Sequence, residues 1–258
     1  MQAGARDALE VTMALLEMSN ISMHYGAIEA LSGVDFALER GRITGLMGDN
    51  GAGKSTLVKI IAGNFPPSAG KMFLEGREIA FSRPVDARQA GIEVVYQDLA
   101  ICNNLTAAAN VFLGREEMKG VWPVRILDNW RMSDRSKELF EELKSETRPD
   151  DVVRSMSGGQ RQAVAIARTH LSQAKIVLMD EPTAAISVRQ VAEVLDLMRR
   201  LRDQGMAIVL VSHRMPDVFS VSDQIVVLRR GHKVADKPIS KSSPEEVTGL
   251  ITGAIKIA

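Results

Sequence analysis

Cysteine is nearly absent: Cys102 stands alone in 258 residues. An internal disulfide is therefore impossible, and Cys102 matches no metal-ligand spacing. This favours a reducing compartment, with Cys102 as structural filler. Net charge is missing too, because 32 Lys and Arg balance 32 Asp and Glu. Nothing in the overall balance argues for a nucleic-acid partner or an anionic membrane surface. No stretch approaches the roughly 18 consecutive apolar residues of a membrane-spanning helix. The N-terminus shows no basic region followed by an apolar core and a cleavage site. The expected location is accordingly the cytoplasmic side. There is no internal repeat. What is present, 45% hydrophobic and 25% charged residues, is enough for the core of one large domain.

The most informative segment is Gly48-Asp49-Asn50-Gly51-Ala52-Gly53-Lys54-Ser55-Thr56. Gly48, Gly51, Gly53, Lys54 and Ser55 fill the places of G-x-x-x-x-G-K-[ST]. In that pattern glycines let backbone N–H groups curl around phosphates, a lysine reaches the β- and γ-phosphates, and a hydroxyl binds magnesium. Asp49, Asn50 and Ala52 complete the cradle and Thr56 leads out of it. The flanks agree: the apolar run Ile43 to Met47 precedes the loop and the helix-compatible Thr56 to Ala62 follows. Strand, loop and helix is the context such a loop needs, so one nucleoside triphosphate site with magnesium is expected.

Residues 1–15 carry no pattern and are read as a leader that need not be ordered; order is expected from about Leu16. Alternating segments at Leu16 to Met23 and Gly33 to Leu38, and Lys71 to Ile79 around a Glu-Gly turn, suit antiparallel strands and a hairpin. Gly91 to Tyr96, Lys175 to Met179 and Met206 to Val211 are short apolar runs of the buried, parallel type, separated by helical patterns. The fold class is α/β. From about Leu99 to Ser155 helix formers and charges dominate, with Ser133 placed as a helix N-cap and Pro149 as a breaker. Residues 99–155 are read as a helical subdomain inserted between core segments 16–98 and 156–258. Past that insertion, Ser187 and Gln190 form a capping box before Val188, Val191, Val194, Leu195, Met198 and Leu201 at helical spacing. Gln224 to Val234 reads as a further hairpin, and Ser243-Pro-Glu-Glu246 opens a last helix.

The run Ile176 to Met179 ends in Asp180-Glu181-Pro182, placing two carboxylates at the carboxyl end of a core strand, where ligands sit in open α/β sheets. Asp180 is expected to hold magnesium, through water, and Glu181 to polarise the water that attacks the γ-phosphate. Upstream lies Met156-Ser157-Gly158-Gly159-Gln160. A hydroxyl and bare N–H groups at the start of the helix Gln160 to Arg168 make an anion site at its positive end, or a simple N-cap.

With these three elements in this order, the chain resembles the ATP-binding cassette family from about Leu16 to Leu250. The resemblance implies a P-loop NTPase core with an antiparallel β part and an inserted helical subdomain. Ser157, Gly158, Gly159 and Gln160 match the family signature, which contacts the ATP held by a second subunit; Met156 replaces the usual leucine. The resemblance further implies that Gln97 senses magnesium and the γ-phosphate where a membrane partner docks. His213, in Val-Ser-His-Arg, would be the switch histidine near the γ-phosphate, and Tyr25 the aromatic that stacks on adenine. One position departs. The family commonly has an aspartate where this chain has Ser187, which either caps the next helix or alters coupling between two sites.

Ala-Ala-Ile-Ser-Val-Arg-Gln, Tyr96-Gln-Asp-Leu, Ala109-Asn-Val-Phe-Leu-Gly-Arg-Glu116 and Ser212-His-Arg-Met-Pro-Asp217 are similar to the monosaccharide-importer branch, including its single-cassette fructose type. The implied activity is ATP hydrolysis by a homodimer at the cytoplasmic face of the membrane. It would drive a permease fed by a sugar-binding protein, with no nucleic acid involved. Two rivals stand beside it: a soluble clamp of the same ATPase class in translation or DNA repair, and a regulatory module that binds ATP without hydrolysing it. The sequence does not name the sugar, which permease and binding protein select.

Overall fold

The structure, a computed structural model, describes residues 14–95, 101–171, 174–184 and 187–255. Most of the expected leader, the segment holding Gln97, and Ala185 and Ile186 fall outside the described residues.

The chain opens with β1 (Leu16–Tyr25) and β2 (Ile28–Leu38), an antiparallel pair. Next come β3 (Ile43–Met47), the Gly-rich loop and α1 (Lys54–Ile61). β4 (Ala69–Leu74) and β5 (Arg77–Ile79) form the expected hairpin around Glu75-Gly76 and extend the first sheet in the order β2-β1-β4-β5. After α2 (Pro84–Gln89) runs β6 (Ile92–Val95). Then follow α3 (Ala107–Val111), a small hairpin of β7 (Met118–Lys119) and β8 (Ile126–Leu127), α4 (Asn129–Glu142) and α5 (Gly158–Leu171). The last third contains β9 (Ile176–Asp180), α6 (Val188–Asp203), β10 (Ala207–Val211), α7 (Met215–Val221), β11 (Gln224–Arg229), β12 (His232–Pro238) and α8 (Pro244–Thr252).

The second sheet has the order β12-β11-β3-β10-β9-β6, parallel throughout except for the edge strand β12. Its strands read as apolar runs because both faces are covered. Alternation along each strand sorts the side chains. Val177, Met179, Ile208 and Leu210 join the core shared with α3 to α8, whereas Ile176, Leu178, Val209 and Val211 join the core shared with α1 and the antiparallel sheet.

The helical layer is tied to the sheet by a buried polar chain. Glu93 on β6 is 4% exposed and pairs with the guanidinium of Arg115, just past α3. Arg115 also donates to the carbonyl of Arg168 on α5 at 3.3 Å, and Arg168 donates to the carbonyl of Asn110 at 2.9 Å. Buried Asn110 in turn holds the backbone N–H and C=O of Cys102 at 2.7 and 3.0 Å. Such a chain fixes orientation through directional bonds, which apolar packing alone does not.

Three local expectations are corrected. α4 is capped by Asp128, whose side chain accepts from the Arg131 N–H, and not by Ser133, which lies inside the helix and donates to Asp150. The apolar face of α4 begins at Met132, so its periodicity starts before Ser133. Val188 is exposed although it continues the apolar spacing of α6, because it occupies the first turn beyond the edge of the core. Finally, the stretch around β7 and β8 is a hairpin and not a helix, with Trp122 86% exposed at its tip.

Candidate functional site

The Gly-rich loop leaves the end of β3 and turns into α1 under tight geometric demands. Gly48 has φ +153°, and a Cβ there would lie 2.3 Å from the Leu228 carbonyl oxygen on β11. The loop is pinned by Ala52 N–H donating to Asp49 O at 3.1 Å and by Gly231 N–H donating to Ala52 O at 3.0 Å. Asn50 N–H is taken by the Asp49 carboxylate at 2.8 Å. α1 has no side-chain cap and no acidic residue in its first turn. Its positive end is thus left to the solvent side of the loop, where an anion is favoured.

Lys54 folds back over the loop and donates to the carbonyls of Gly48 at 2.7 Å and Asp49 at 3.0 Å. Burial pulls its ammonium below the ordinary lysine value, opposed by the nearby Glu181, Asp180 and Asp49 carboxylates. Its charge is therefore held at a cost that an added anion would relieve. Ser55 and Thr56 follow in the first turn of α1, Ser55 exposed.

Facing this loop are the carboxyl ends of β9 and β10. Asp180 lies in register with Val211. Burial and then the neighbouring Glu181 raise the Asp180 carboxyl above the usual aspartate range, opposed by Lys54 and Lys59. A half-buried carboxylate that is costly to ionise suits a group awaiting a cation. No cluster of three or more His, Cys, Asp or Glu side chains able to hold a metal occurs among the described residues. Ser55 and Asp180 are thus a hydroxyl and a carboxylate, a set that fits magnesium only together with phosphate oxygens and water.

Glu181 sits one residue beyond the strand with φ +49°, a left-handed conformation that a side-chain-bearing residue adopts at a cost. Its N–H donates to Val211 O at 2.9 Å. Its Oε1 accepts a hydrogen bond from the His213 backbone N–H at 3.1 Å and lies 2.8 Å from His213 Nδ1. Its Oε2 is buried and has no partner. One oxygen is thus held by His213 while the other keeps an open acceptor position.

The structure thus gathers Lys54, Asp180, Glu181 and His213 around the loop, while Gln97 lies outside the described residues. Tyr25 closes β1, 45% exposed, with its ring edge-on to Phe65 at 5.9 Å. Phe65 was not foreseen, because nothing in the sequence links it to Tyr25. The hydroxyl of Thr183 and the carboxylate of Asp217 were also missed. They meet at 2.6 Å in the interior beneath Glu181 and His213. The only sequence signal was the position of Asp217 four residues after His213.

The second Gly-rich element is elsewhere. Ser157 and Gln160 form a reciprocal capping box at the start of α5: Gln160 N–H donates to Ser157 Oγ at 3.3 Å and Ser157 N–H to Gln160 Oε1 at 2.9 Å. Met156 is buried in the core, so methionine serves as the apolar anchor in place of leucine. A Cβ on Gly159 would lie 3.0 Å from a Glu193 carboxylate oxygen on α6, the movable end of a side chain. Ser187 and Gln190 cap α6 with the same reciprocal pattern. The two capped ends line one groove of about 670 Å³ that includes no residue of the phosphate loop.

Comparisons with known proteins show the family and the fold. Residues 31–184 match the ABC transporter family. The chain is 41% identical over 241 residues to the xylose/arabinose import ATP-binding protein XylG of Sulfolobus acidocaldarius, covering 92% of this chain and 94% of that protein. It is 42% identical over 246 residues to the fructose import ATP-binding protein FrcA of Rhizobium meliloti, covering 93% and 94%. The ribose import ATP-binding protein RbsA of Yersinia pestis bv. Antiqua is 39% identical over 239 residues, covering 93% of this chain but 46% of that protein. The chain therefore spans about half the length of the ribose-import relatives it matches. Among solved structures, an ATP-binding cassette of an ABC transporter in its ADP conformation superposes with a TM-score of 0.78 at 25% identity, covering 93% of this chain and 96% of that one.

Proposed function

The chain belongs to the ABC transporter family, and from that premise we propose that it is the ATP-hydrolysing subunit of a sugar importer. It turns ATP and water into ADP and phosphate to drive uptake through a membrane permease. The observation that carries this reading is the Glu181 carboxylate, held through Oε1 by His213 and left with Oε2 buried and unpaired beside the Lys54 loop.

In this reading the Lys54 ammonium and the backbone N–H groups from Gly48 to Thr56 take the charge of the β- and γ-phosphates. Ser55 and Asp180 would hold magnesium, which neutralises phosphate charge when bound; Gln97 is assigned to the same ion by resemblance. Glu181 Oε2 takes a proton from the water that attacks the γ-phosphorus. As the new P–O bond forms, the bond to the β-phosphate oxygen breaks and ADP leaves. His213 keeps the Glu181 side chain aimed, and the exposed imidazole faces the γ-phosphate. Tyr25 stacks on the adenine, with its ring braced by Phe65.

The groove lined by Ser157, Gly159 and Gln160 shares no residue with the phosphate loop, which supports a homodimer in which each copy, with Gly158 beside that groove, completes the other's nucleotide site. The described residues contain no helix long and apolar enough to cross a membrane. The subunit is assigned to the cytoplasmic face, bound to the permease, with a sugar-binding protein delivering substrate to that complex. A monosaccharide is the proposed cargo, with fructose as the first candidate because FrcA is matched along nearly its whole length.

The test is capture of the tagged full chain from native membranes in mild detergent, with identification of co-purifying proteins by mass spectrometry. A polytopic permease and a sugar-binding protein are expected. Recovery of ribosomal or DNA-associated proteins alone would sink the importer reading.

A further inference from the structure

Glu181 opens a tight turn, with Ala184 N–H donating back to the Glu181 carbonyl at 3.1 Å. A left-handed glutamate at the head of a turn persists only if its surroundings hold it there. Its backbone N–H and its Oε1 supply two restraints, already described. A third acts from below, two residues on.

Thr183 is fully buried and Asp217, in the first turn of α7, is 4% exposed. The Thr183 hydroxyl donates to Asp217 Oδ2 at 2.6 Å. The same carboxylate oxygen pairs with Arg214 Nε at 3.2 Å, and Arg214 Nη1 reaches the Thr183 carbonyl at 3.4 Å. The Arg214 N–H is fixed in turn by Ser212 Oγ at 3.0 Å. Arg214 directly follows His213, and Thr183 ends the Glu181-Pro182-Thr183 turn. The cluster therefore bonds the segment carrying the carboxylate to the segment carrying the histidine.

We infer that Thr183, Arg214 and Asp217 form a clamp that sets Glu181 against His213, making Thr183 and Asp217 positioning residues for the hydrolytic step. A buried carboxylate is poor evidence for stability, since well-packed apolar residues often do as well. What apolar packing does not supply is a fixed distance between two loops whose residues must share one hydrogen bond. The inference rests on the reading of Glu181 as general base.

The test uses the full-length chain, with ATP turnover and nucleotide binding measured separately. Thr183→Val keeps the shape of the side chain, removes only the donor hydroxyl, and leaves Asp217 paired with Arg214. It is expected to lower kcat about tenfold at unchanged KM for ATP, because a sub-ångström misplacement of a reacting group slows chemistry without weakening binding. Asp217→Asn should do the same, and Thr183→Ser, which restores the hydroxyl, should return kcat to near the native value.

The decisive comparison repeats Thr183→Val in a Glu181→Gln background. A residue that acts only through Glu181 adds less than about twofold there, whereas a generally destabilising change costs the same factor in both backgrounds. Equal losses in both, or native kcat for Thr183→Val while Glu181→Gln is impaired, would overturn the clamp alone. Native turnover by Glu181→Gln would remove the general base, and the clamp with it.

Discussion

Replacing Gly48 and Gly51 separately by alanine tests whether the phosphate loop is held by steric necessity or by habit of sequence. Both glycines have positive φ, +153° at Gly48 and +77° at Gly51. Their surroundings differ. An added Cβ at Gly48 would sit 2.3 Å from the Leu228 carbonyl oxygen and 2.9 Å from Ala52 Cβ; at Gly51 nothing lies within 4 Å. Gly51→Ala therefore meets backbone strain alone, about 1–2 kcal/mol for a left-handed alanine. Gly48→Ala meets strain of ~1–3 kcal/mol and a clash with the backbone of a central strand, which costs about 1–3 kcal/mol more because β11 must shift. With roughly 2–4 °C of melting temperature per kcal/mol in a domain of this size, the losses are about 3 °C for Gly51→Ala and roughly 10 °C for Gly48→Ala. Thermal unfolding of the nucleotide-free chain by circular dichroism reads both. Equal shifts, or a Gly48→Ala protein as stable as the native one, would refute the reasoning, since the clash with β11 is the main difference between the two positions.

Glu181→Gln should keep nucleotide binding yet slow turnover on the order of 10²-fold, as loss of a general base does; steady-state phosphate release beside nucleotide titration checks it, and an unchanged rate removes Glu181 from that role. Asp180→Asn should raise the melting temperature at neutral pH while abolishing magnesium-dependent turnover. The sign follows from the raised folded-state value of Asp180: ionising this half-buried carboxyl beside Glu181 costs stability above that value, and the cost is gone below the unfolded value near 3.8. The gain should therefore vanish in melts taken below that pH, and a gain that persists there would point to another cause. Ser187→Ala removes one half of the capping box on α6 and should cost ~1 kcal/mol in urea unfolding. Ser187→Asp, which keeps an acceptor at the cap, should leave nucleotide affinity unchanged and alter its cooperativity; a large loss of affinity would mean that Ser187 lies in the nucleotide site itself.

What could be read from the residues depended on how local the physics was. Ser187 with Gln190, Ser243 before Pro244, and the Glu75-Gly76 turn rest on contacts a few residues apart, and each is found as expected. The start of α4 was misplaced because Asp128 and Ser133 are both competent caps, and the choice was settled by where Met132, Leu139 and Phe140 find a core. The β7–β8 hairpin carries apolar residues in solvent, so its pattern offered nothing to separate it from a helix. Arg115 on Glu93 and Thr183 on Asp217 join positions 22 and 34 residues apart. Each looks like an ordinary polar surface residue until the fold removes the water around it.

The meeting of Glu181 and His213 has the same origin, and it turns on a register that side-chain pattern specifies weakly. In a sheet with one wet face, a slip by one residue sends apolar groups into water and is strongly penalised. β9 and β10 have no wet face: Ile176 to Met179 and Ala207 to Val211 are all buried, on both sides. A slip would exchange one apolar set for another. The register must be held from the strand entrances, where Ala207 N–H donates to Lys175 O at 2.9 Å, Ile208 N–H to Arg42 O at 2.9 Å and Lys175 N–H to Gly91 O at 2.8 Å. These bonds lie at the end of the sheet opposite the site. They place Asp180 level with Val211, and from that pairing Glu181 N–H finds Val211 O and its carboxylate finds His213. The constellation at the carboxyl ends is therefore set by backbone bonds four to five residues upstream, so entrance residues as plain as Gly91 and Lys175 bear on the geometry of the hydrolytic step without approaching it.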